Sequence, residues 1–146
     1  MRIYQFAFLI IAGITGIFCS SGDLFAGGRQ LINSSKIYVY DGDTIIVENQ
    51  RMRLVGIDSP EISKPRCDRE KTLGYAARDR LRQIVEHART VELADGGKRD
   101  KYGRPLVTLY ADGIDVRRPM MAEGHAIVWR PGRRAWSDRL QHWCGR

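Results

Sequence analysis

Hydrophobic and polar positions alternate over three short stretches in the first half of the chain, from Lys36 onward. β-branched and aromatic residues dominate these stretches, and turn signals at Asp41-Gly42 and Asn49-Gln50 separate them. Short runs of this kind, bounded by turn residues, are typical of β-strands. The pattern therefore predicts three consecutive strands, with the sequences KIYVY, TIIVE and RMRLVGI.

The period of the pattern changes between Asp68 and His87. Apolar residues there recur every three or four positions, which is typical of an amphipathic helix. The chain then returns to strand-like runs, TVELA and PLVTLYA, before a short helix that ends at Gly124 and a last extended piece, HAIVW. The elements together predict an α+β fold, a small Greek-key barrel with packed helices.

An apolar run over residues 6–18 differs from the rest of the chain. Arg2 precedes it and small residues follow it, as in a secretory signal. The run is shorter than the roughly 20 residues that cross a bilayer. A buried N-terminal helix is the alternative. We expect a signal peptide over residues 1–21 with cleavage near 21–26, a flexible lead-in over 22–35, one domain over 36–146, and export to a periplasm or the medium.

The composition is that of an ordinary globular domain, with 43% hydrophobic and 28% charged residues in 146. It excludes a disordered, collagen-like or membrane-bundle protein. Lys and Arg number 24 against 17 Asp and Glu, a net charge of +7 that attracts polyanions such as nucleic acids. The chain has no GxSxG elbow and no P-loop, which argues against acyl transfer and nucleoside triphosphate chemistry.

Two cysteines remain after a signal containing Cys19 is removed. Cys67 and Cys144 are an even number in an oxidising compartment, where disulfides persist. They could form a disulfide that fixes the C-terminal tail, or they could remain two free thiols. No Cys or His cluster has the spacing of a zinc site.

Carboxylates stand at both ends of the predicted hairpin strands. Asp-Gly at 41–42 is a favoured turn pair, but a turn alone does not need the second carboxylate, Asp43. Asp58 and Glu61 follow the third strand, and Pro60 between them stiffens the turn. A helix-entry cap is the alternative there, although the clear helix begins only near Asp68. Carboxylate and carbonyl oxygens suit Ca²⁺ or Mg²⁺.

Two arginines add positive charge to these acidic turns. Arg53 shares a strand face with the apolar Val55 and Ile57, so either the strand end is exposed or the guanidinium meets an anion in the barrel mouth. Arg104 follows a glycine in the loop at 100–104. Planar guanidinium groups beside a divalent cation are suited to attack at a phosphodiester, where charge builds on oxygen.

The order and spacing of these motifs resemble the staphylococcal-type nucleases, or thermonucleases, with their SNase-like domain. The resemblance covers roughly residues 36–129. It differs after Val128, where Trp129 and Arg130 stand in place of aromatic residues that hold a base in the family, and in the loop after Glu61. The motifs that carry it are DGDT at 41–44, RLVGIDSPE at 53–61, DKYGR at 100–104 and YADG at 110–113.

The resemblance implies a five-stranded OB-fold-type barrel with two to three packed helices, and a secreted Ca²⁺-dependent nuclease that hydrolyses DNA and RNA and leaves 3′-phosphate ends. It implies no stable membrane association after signal removal and no obligate protein partner. A catalytically inactive OB-type module that binds nucleic acid or a protein is the alternative. The implied roles are Asp43, Asp58 and the Ser59 carbonyl as metal ligands, Glu61 as general base or water-orienting group, Arg53 and Arg104 on the scissile phosphate, and Lys101 and Tyr102 on a terminal phosphate.

Overall fold

A computed structural model describes residues 28–145, and the expected signal peptide lies outside these residues. The elements follow in the order β1 (Arg29–Ile32), a 3₁₀ turn (Ser34–Lys36), β2 (Ile37–Asp41), β3 (Thr44–Val47), β4 (Gln50–Leu54), β5 (Ile57–Asp58), α1 (Asp68–His87), β6 (Val91–Arg99), β7 (Pro105–Ala111), β8 (Ile114–Asp115), α2 (Arg117–Ala122), β9 (Ile127–Val128) and α3 (Arg133–Cys144). No helix within this range is both long and apolar enough to span a membrane.

The main sheet has the strand order β1-β6-β7-β4-β3-β2, with β8 added beside β7. All of its pairs are antiparallel except β4 with β7. The predicted α+β, OB-type arrangement is confirmed, but the sheet is not closed into a barrel. The β4–β7 ladder covers only Arg53 and Leu54, because the chain then turns at Val55 and Gly56 and forms a separate ladder of β5 with β9.

The segment before β2 differs from the prediction of a flexible lead-in. Residues 29–32 form β1, which pairs antiparallel with residues 91–94 of β6. This pairing supplies backbone hydrogen bonds to an otherwise open sheet edge, and the run RQLI contains Ile32, which packs against the core. The polar, glycine-containing composition of residues 22–35 did not indicate this strand.

One hydrophobic core lies between the sheet and α1. Alternate residues of β3 and β4 point into it, as period-two strands require, and so does the apolar stripe of α1. The predicted strands and the long helix therefore bury the faces that their patterns indicated. Fully buried core residues include Ile45, Leu54, Ala77, Leu81, Leu93, Val107 and Leu109.

The C-terminal helix α3 packs against α1 and is fastened at its far end. The structure joins Cys67, just before α1, to Cys144, the last residue of α3, with their Cα atoms 6.1 Å apart. Arg69 adds a hydrogen bond from Nη1 to the carbonyl of Trp143 at 2.9 Å, and the Trp143 side chain is buried. These contacts fix where α3 lies relative to the turn that contains Asp58.

Candidate active site

A close approach of backbone segments places the first carboxylate, Asp43. A Cβ atom at Gly42 would lie 2.7 Å from the Cβ of Ala77 and 2.8 Å from that of Ser59, so only glycine lets the β2–β3 turn come this near to them. The buried Asp43 then accepts a hydrogen bond at Oδ2 from the Ser59 backbone N–H at 3.0 Å. The hydroxyl of Thr44 donates to Oδ1 of Asp43 at 3.0 Å. Two separate turns thus meet at one carboxylate.

Arg53 lies between Asp43 and Asp58 and contacts both. Its Nη1 is 2.9 Å from Oδ1 of Asp43, and its Nη2 is 3.0 Å from Oδ1 of Asp58. Nη2 also donates to the carbonyl of Ile57 at 3.2 Å. Burial lowers the pKa of Arg53, but the carboxylates outweigh burial and hold that pKa above its ordinary value. Of the two sequence interpretations of Arg53, the structure therefore supports a guanidinium that meets anions.

A second arginine, which the sequence analysis did not single out, contacts Asp58. Arg139 of α3 places Nε 3.1 Å from Oδ2 of Asp58, so both oxygens of this carboxylate have a cationic partner. Burial and the negative charge of Asp43 raise the pKa of Asp58, while Arg139 and Arg53 act in the opposite direction. In the sequence, Arg139 is only one basic residue of a basic C-terminal segment. No sequence pattern predicted where that segment lies in the fold.

Asp41 is a second residue whose part in the site the sequence analysis did not predict. Asp41 was interpreted there only as a turn residue. Its Oδ1 accepts the backbone N–H of Asp43 at 3.0 Å. Burial, followed by the charge of Asp43, raises the pKa of Asp41 to about 7. Asp43, the second carboxylate of the DGD triplet, therefore has a neighbour whose carboxyl group gives up its proton less readily than a free aspartate does.

Glu61 lies on the loop between β5 and α1, which packs closely on the helix. A Cβ atom at Gly74 of α1 would lie 2.9 Å from the carbonyl oxygen of Pro60 and 2.9 Å from Cγ1 of Ile62, so glycine permits this contact. Partial burial and the charges of Asp43 and Asp58 raise the pKa of Glu61. A carboxylate with a raised pKa, on the rim of a cleft, is suited to proton transfer.

A cleft of about 600 Å³, the main cleft, opens beside Arg53 and Glu61. Arg104 lines it and is held by Asp100, with Nε 2.7 Å and Nη2 2.6 Å from Oδ2. Lys101 and Tyr102 stand exposed on its rim, with the Lys101 Nζ 4.9 Å from the centre of the Tyr102 ring. The remaining lining residues are Leu54, Val55, Gly56, Arg99, Leu106 and Trp129.

The structure brings the residues singled out from the sequence together in two groups. Asp43, Arg53, Asp58 and Ser59 are linked by direct hydrogen bonds. The other group, Glu61, Lys101, Tyr102 and Arg104, lines the main cleft with Arg53. Across residues 28–145, no three carboxylate, imidazole or thiol groups form a set that could hold a metal ion by themselves. Arg53 instead contacts both aspartates.

The fold and this site together define an OB-type α+β domain with an arginine-bridged pair of carboxylates beside a basic cleft. Residues 51–143 match the family model described as "Staphylococcal nuclease homologue". The chain belongs to the staphylococcal nuclease family, which confirms the resemblance seen in the sequence.

Individual relatives agree with this assignment. Endonuclease YncB of Bacillus subtilis is 33% identical over 105 residues, which are 68% of this chain and 49% of that protein. The probable staphylococcal-like nuclease CAN1 of Oryza sativa is 30% identical over 122 residues, 80% of this chain and 32% of that protein. The thermonuclease of Staphylococcus intermedius is 36% identical over 76 residues, 49% of this chain and 45% of that protein. The chain therefore spans about half or less of the length of these curated relatives.

Proposed function

We propose that this protein is an exported, Ca²⁺-dependent nuclease that hydrolyses phosphodiester bonds in DNA and RNA and leaves 3′-phosphate ends. The observation that carries the proposal is the Arg53 bridge between Asp43 and Asp58, with Glu61 and Arg104 on the same cleft. Membership of the staphylococcal nuclease family supports nuclease chemistry. Two relatives named endonuclease and thermonuclease also support it. Export rests on the signal-like residues 1–21.

The donor atoms around Asp43 suit a calcium ion. Asp43, Asp58 and the Ser59 carbonyl offer only oxygen, which hard cations prefer. Both Asp43 oxygens and Oδ1 of Asp58 accept hydrogen bonds, and Oδ2 of Asp58 faces Arg139, yet a carboxylate oxygen has lone pairs for more than one partner. Burial, and then the neighbouring carboxylates, raise the pKa values of Asp58 and Glu61, and a bound cation would oppose both effects.

The chain's own residues supply most of the chemistry that hydrolysis needs. A calcium ion held by Asp43, Asp58 and Ser59 would contribute Lewis-acid polarisation of a phosphate oxygen. Glu61 would accept a proton from the attacking water or orient it. Arg53 and Arg104 would neutralise charge on the phosphate oxygens as the transition state forms.

The test is digestion of plasmid DNA and of single-stranded RNA with added Ca²⁺ and, in parallel, with an excess of chelator. We expect cleavage that requires Ca²⁺, and products whose 3′ ends accept a new linkage only after phosphatase treatment. The Arg53→Lys variant, purified identically, controls for contaminating nucleases, because it keeps the charge but not the planar two-armed bridge. Arg80→Lys is its matched control, since Arg80 pairs with Glu123 on the surface outside the clefts that contain Glu61.

Each result has a defined meaning. Cleavage that is lost in Arg53→Lys and kept in Arg80→Lys assigns the activity to this site. Tight nucleic-acid binding without any cutting at saturating Ca²⁺ would instead favour the non-catalytic binding module. Products with 3′-hydroxyl ends would leave a nuclease but remove the proposed point of cleavage.

A further inference from the structure

A second depression, the side cleft, meets the main cleft at Glu61. It has a volume of about 340 Å³ and is formed by the β5–α1 loop and by α3. The two clefts share Glu61 and no other lining residue. A strand whose phosphate lies at Glu61 can therefore enter both clefts. Lining the side cleft are Asp58, Ser59, Glu61, Ser63, Lys64, Arg66, Trp136 and Arg139.

Trp136 gives the side cleft an aromatic surface. Its side chain on α3 is 52% exposed although it is a large apolar group, so hydrophobic packing in the core does not explain it. The Arg66 guanidinium carbon lies 5.8 Å from the indole centre, and Nη1 of Arg66 is 3.4 Å from the Trp136 carbonyl oxygen. Indole faces that stand beside cations are the usual platforms for nucleobases in single-strand binding sites.

The platform is held in place from both sides. Arg66 pairs with the fully buried Glu70 at 2.6 Å, which fixes the guanidinium to α1. The Cys67–Cys144 bond and the Arg139–Asp58 pair fix α3 to the opposite wall. A preformed site of this kind loses little conformational freedom when a ligand binds.

The charges of the side cleft suit a phosphate. Of its three cations, Arg66 is paired with Glu70 and Arg139 with Asp58. Lys64 is exposed, and within residues 28–145 no salt bridge compensates its charge. Lys64 is therefore the cation at this cleft with most to gain from a phosphodiester group.

We propose that the side cleft is a subsite for the nucleotide that follows the scissile phosphate on the side of the β5–α1 loop, with its base stacked on Trp136 and its phosphate at Lys64. The position of the scissile phosphate at Glu61 rests on the proposed function. The subsite fits an unpaired nucleotide, because a base must leave its duplex partner to reach the indole.

The experiment measures equilibrium binding of fluorescein-labelled oligothymidylates, from the dinucleotide to the decanucleotide, in excess chelator so that no cleavage occurs. For the wild type, affinity should rise with length until the strand fills both clefts. Trp136→Ala should bind the longer oligonucleotides about tenfold more weakly and the dinucleotide unchanged. Trp136→Phe keeps a ring and should bind nearly as the wild type does.

Two further variants separate stacking from charge and from general surface effects. Lys64→Ala should lower the slope of log K against log salt by about 0.7, the value for one phosphate contact to a single strand. Tyr38→Ala is the matched control, since Tyr38 is an exposed aromatic residue beside another cleft, near α1 and the 3₁₀ turn. It should leave both affinity and slope unchanged.

The outcomes distinguish the subsite from the proposed function. A wild type that binds the longer oligonucleotides more tightly, with Trp136→Ala equal to it at every length, would overturn the subsite and leave the nuclease intact. An equal loss at all lengths would indicate that Trp136 acts only through the fold, and would also overturn the subsite. A wild type that binds none of the oligonucleotides would overturn the subsite, while the proposed function is judged separately by cleavage with added Ca²⁺.

Discussion

Arg139 forms an ion pair with Asp58, with Nε 3.1 Å from Oδ2, while Oδ1 of the same carboxylate accepts a hydrogen bond from Arg53 at 3.0 Å. Asp58 is thereby held between β4 and the C-terminal helix. Since α3 is itself bonded to the start of α1 through Cys67, the disulfide and the candidate metal ligand belong to one connected unit. The C-terminal helix is therefore part of the site.

Replacing Arg139 should alter how the site binds calcium. Arg139→Ala removes a positive charge beside Asp58, which would hold the cation, so the Ca²⁺ concentration that gives half-maximal cleavage should fall roughly threefold. Maximal turnover should fall as well, because Asp58 loses one of its two positioning contacts. A Ca²⁺ titration of the initial rate measures both quantities. Arg139→Lys keeps the charge and should retain the wild-type calcium requirement; an alanine variant with a raised requirement would contradict the electrostatic argument.

Glu61 should affect catalysis and leave substrate binding nearly unchanged. Glu61→Gln keeps the shape of the side chain but cannot accept a proton, and general-base help is worth about 10² to 10⁴ in rate. We expect turnover to fall by at least about tenfold. Single-turnover kinetics and oligonucleotide binding, measured on the same preparation, separate the two effects. Unchanged turnover in this variant would remove Glu61 from the mechanism.

The local patterns sufficed for much of the fold and for the groups near the main cleft. Period-two runs predicted β2, β3 and β4, and period 3.6 predicted α1, because each pattern reports a buried face. The motif around Asp43 and Asp58 indicated carboxylates near an arginine. These features depend on neighbours within about twenty residues, which the sequence displays directly.

Long-range contacts were beyond that reasoning. Arg139 meets Asp58 across 81 positions (139 − 58), and β1 pairs with β6 across more than fifty residues. Nothing local distinguishes Arg139 from the exposed arginines Arg133 and Arg134 on the same helix. That the sheet does not close into a barrel was also beyond local patterns, because the ladder of β5 with β9 depends on where the chain turns after Leu54.

The Cys67–Cys144 bond should contribute substantially to stability. It closes a loop of 77 residues, for which chain-entropy reasoning gives about 4 kcal/mol. Cys67→Ser with Cys144→Ser should lower the free energy of unfolding by about that amount, measured by urea denaturation. Reductant should destabilise the wild type and leave the double variant unchanged. Equal sensitivity of the two proteins to reductant would show that the bond does not form in the protein.

The buried ion pair of Arg66 with Glu70 should make stability depend on pH in the acidic range. Burial alone would raise the pKa of Glu70, but hydrogen bonds from Arg66 outweigh it and hold that pKa below its ordinary value of 4.5. A lowered folded-state pKa means that the stabilisation is present above about 4.5 and is lost as the pH falls through the folded value. Glu70→Gln should therefore be less stable than the wild type at pH 7, by about 2 kcal/mol, since it replaces the charged hydrogen-bond partner of the partly exposed Arg66 with a neutral one.

The difference between Glu70→Gln and the wild type should then shrink as the pH falls below 4.5. Urea denaturation at a series of pH values measures this difference. Glu123→Gln is the matched control, because Glu123 also pairs with an arginine, Arg80, at 2.6 Å but on the surface. An exposed pair of this kind contributes little, so the control should be nearly as stable as the wild type at every pH. A Glu70→Gln deficit that stays constant down to acidic pH would mean that Glu70 acts through its shape and not through its charge.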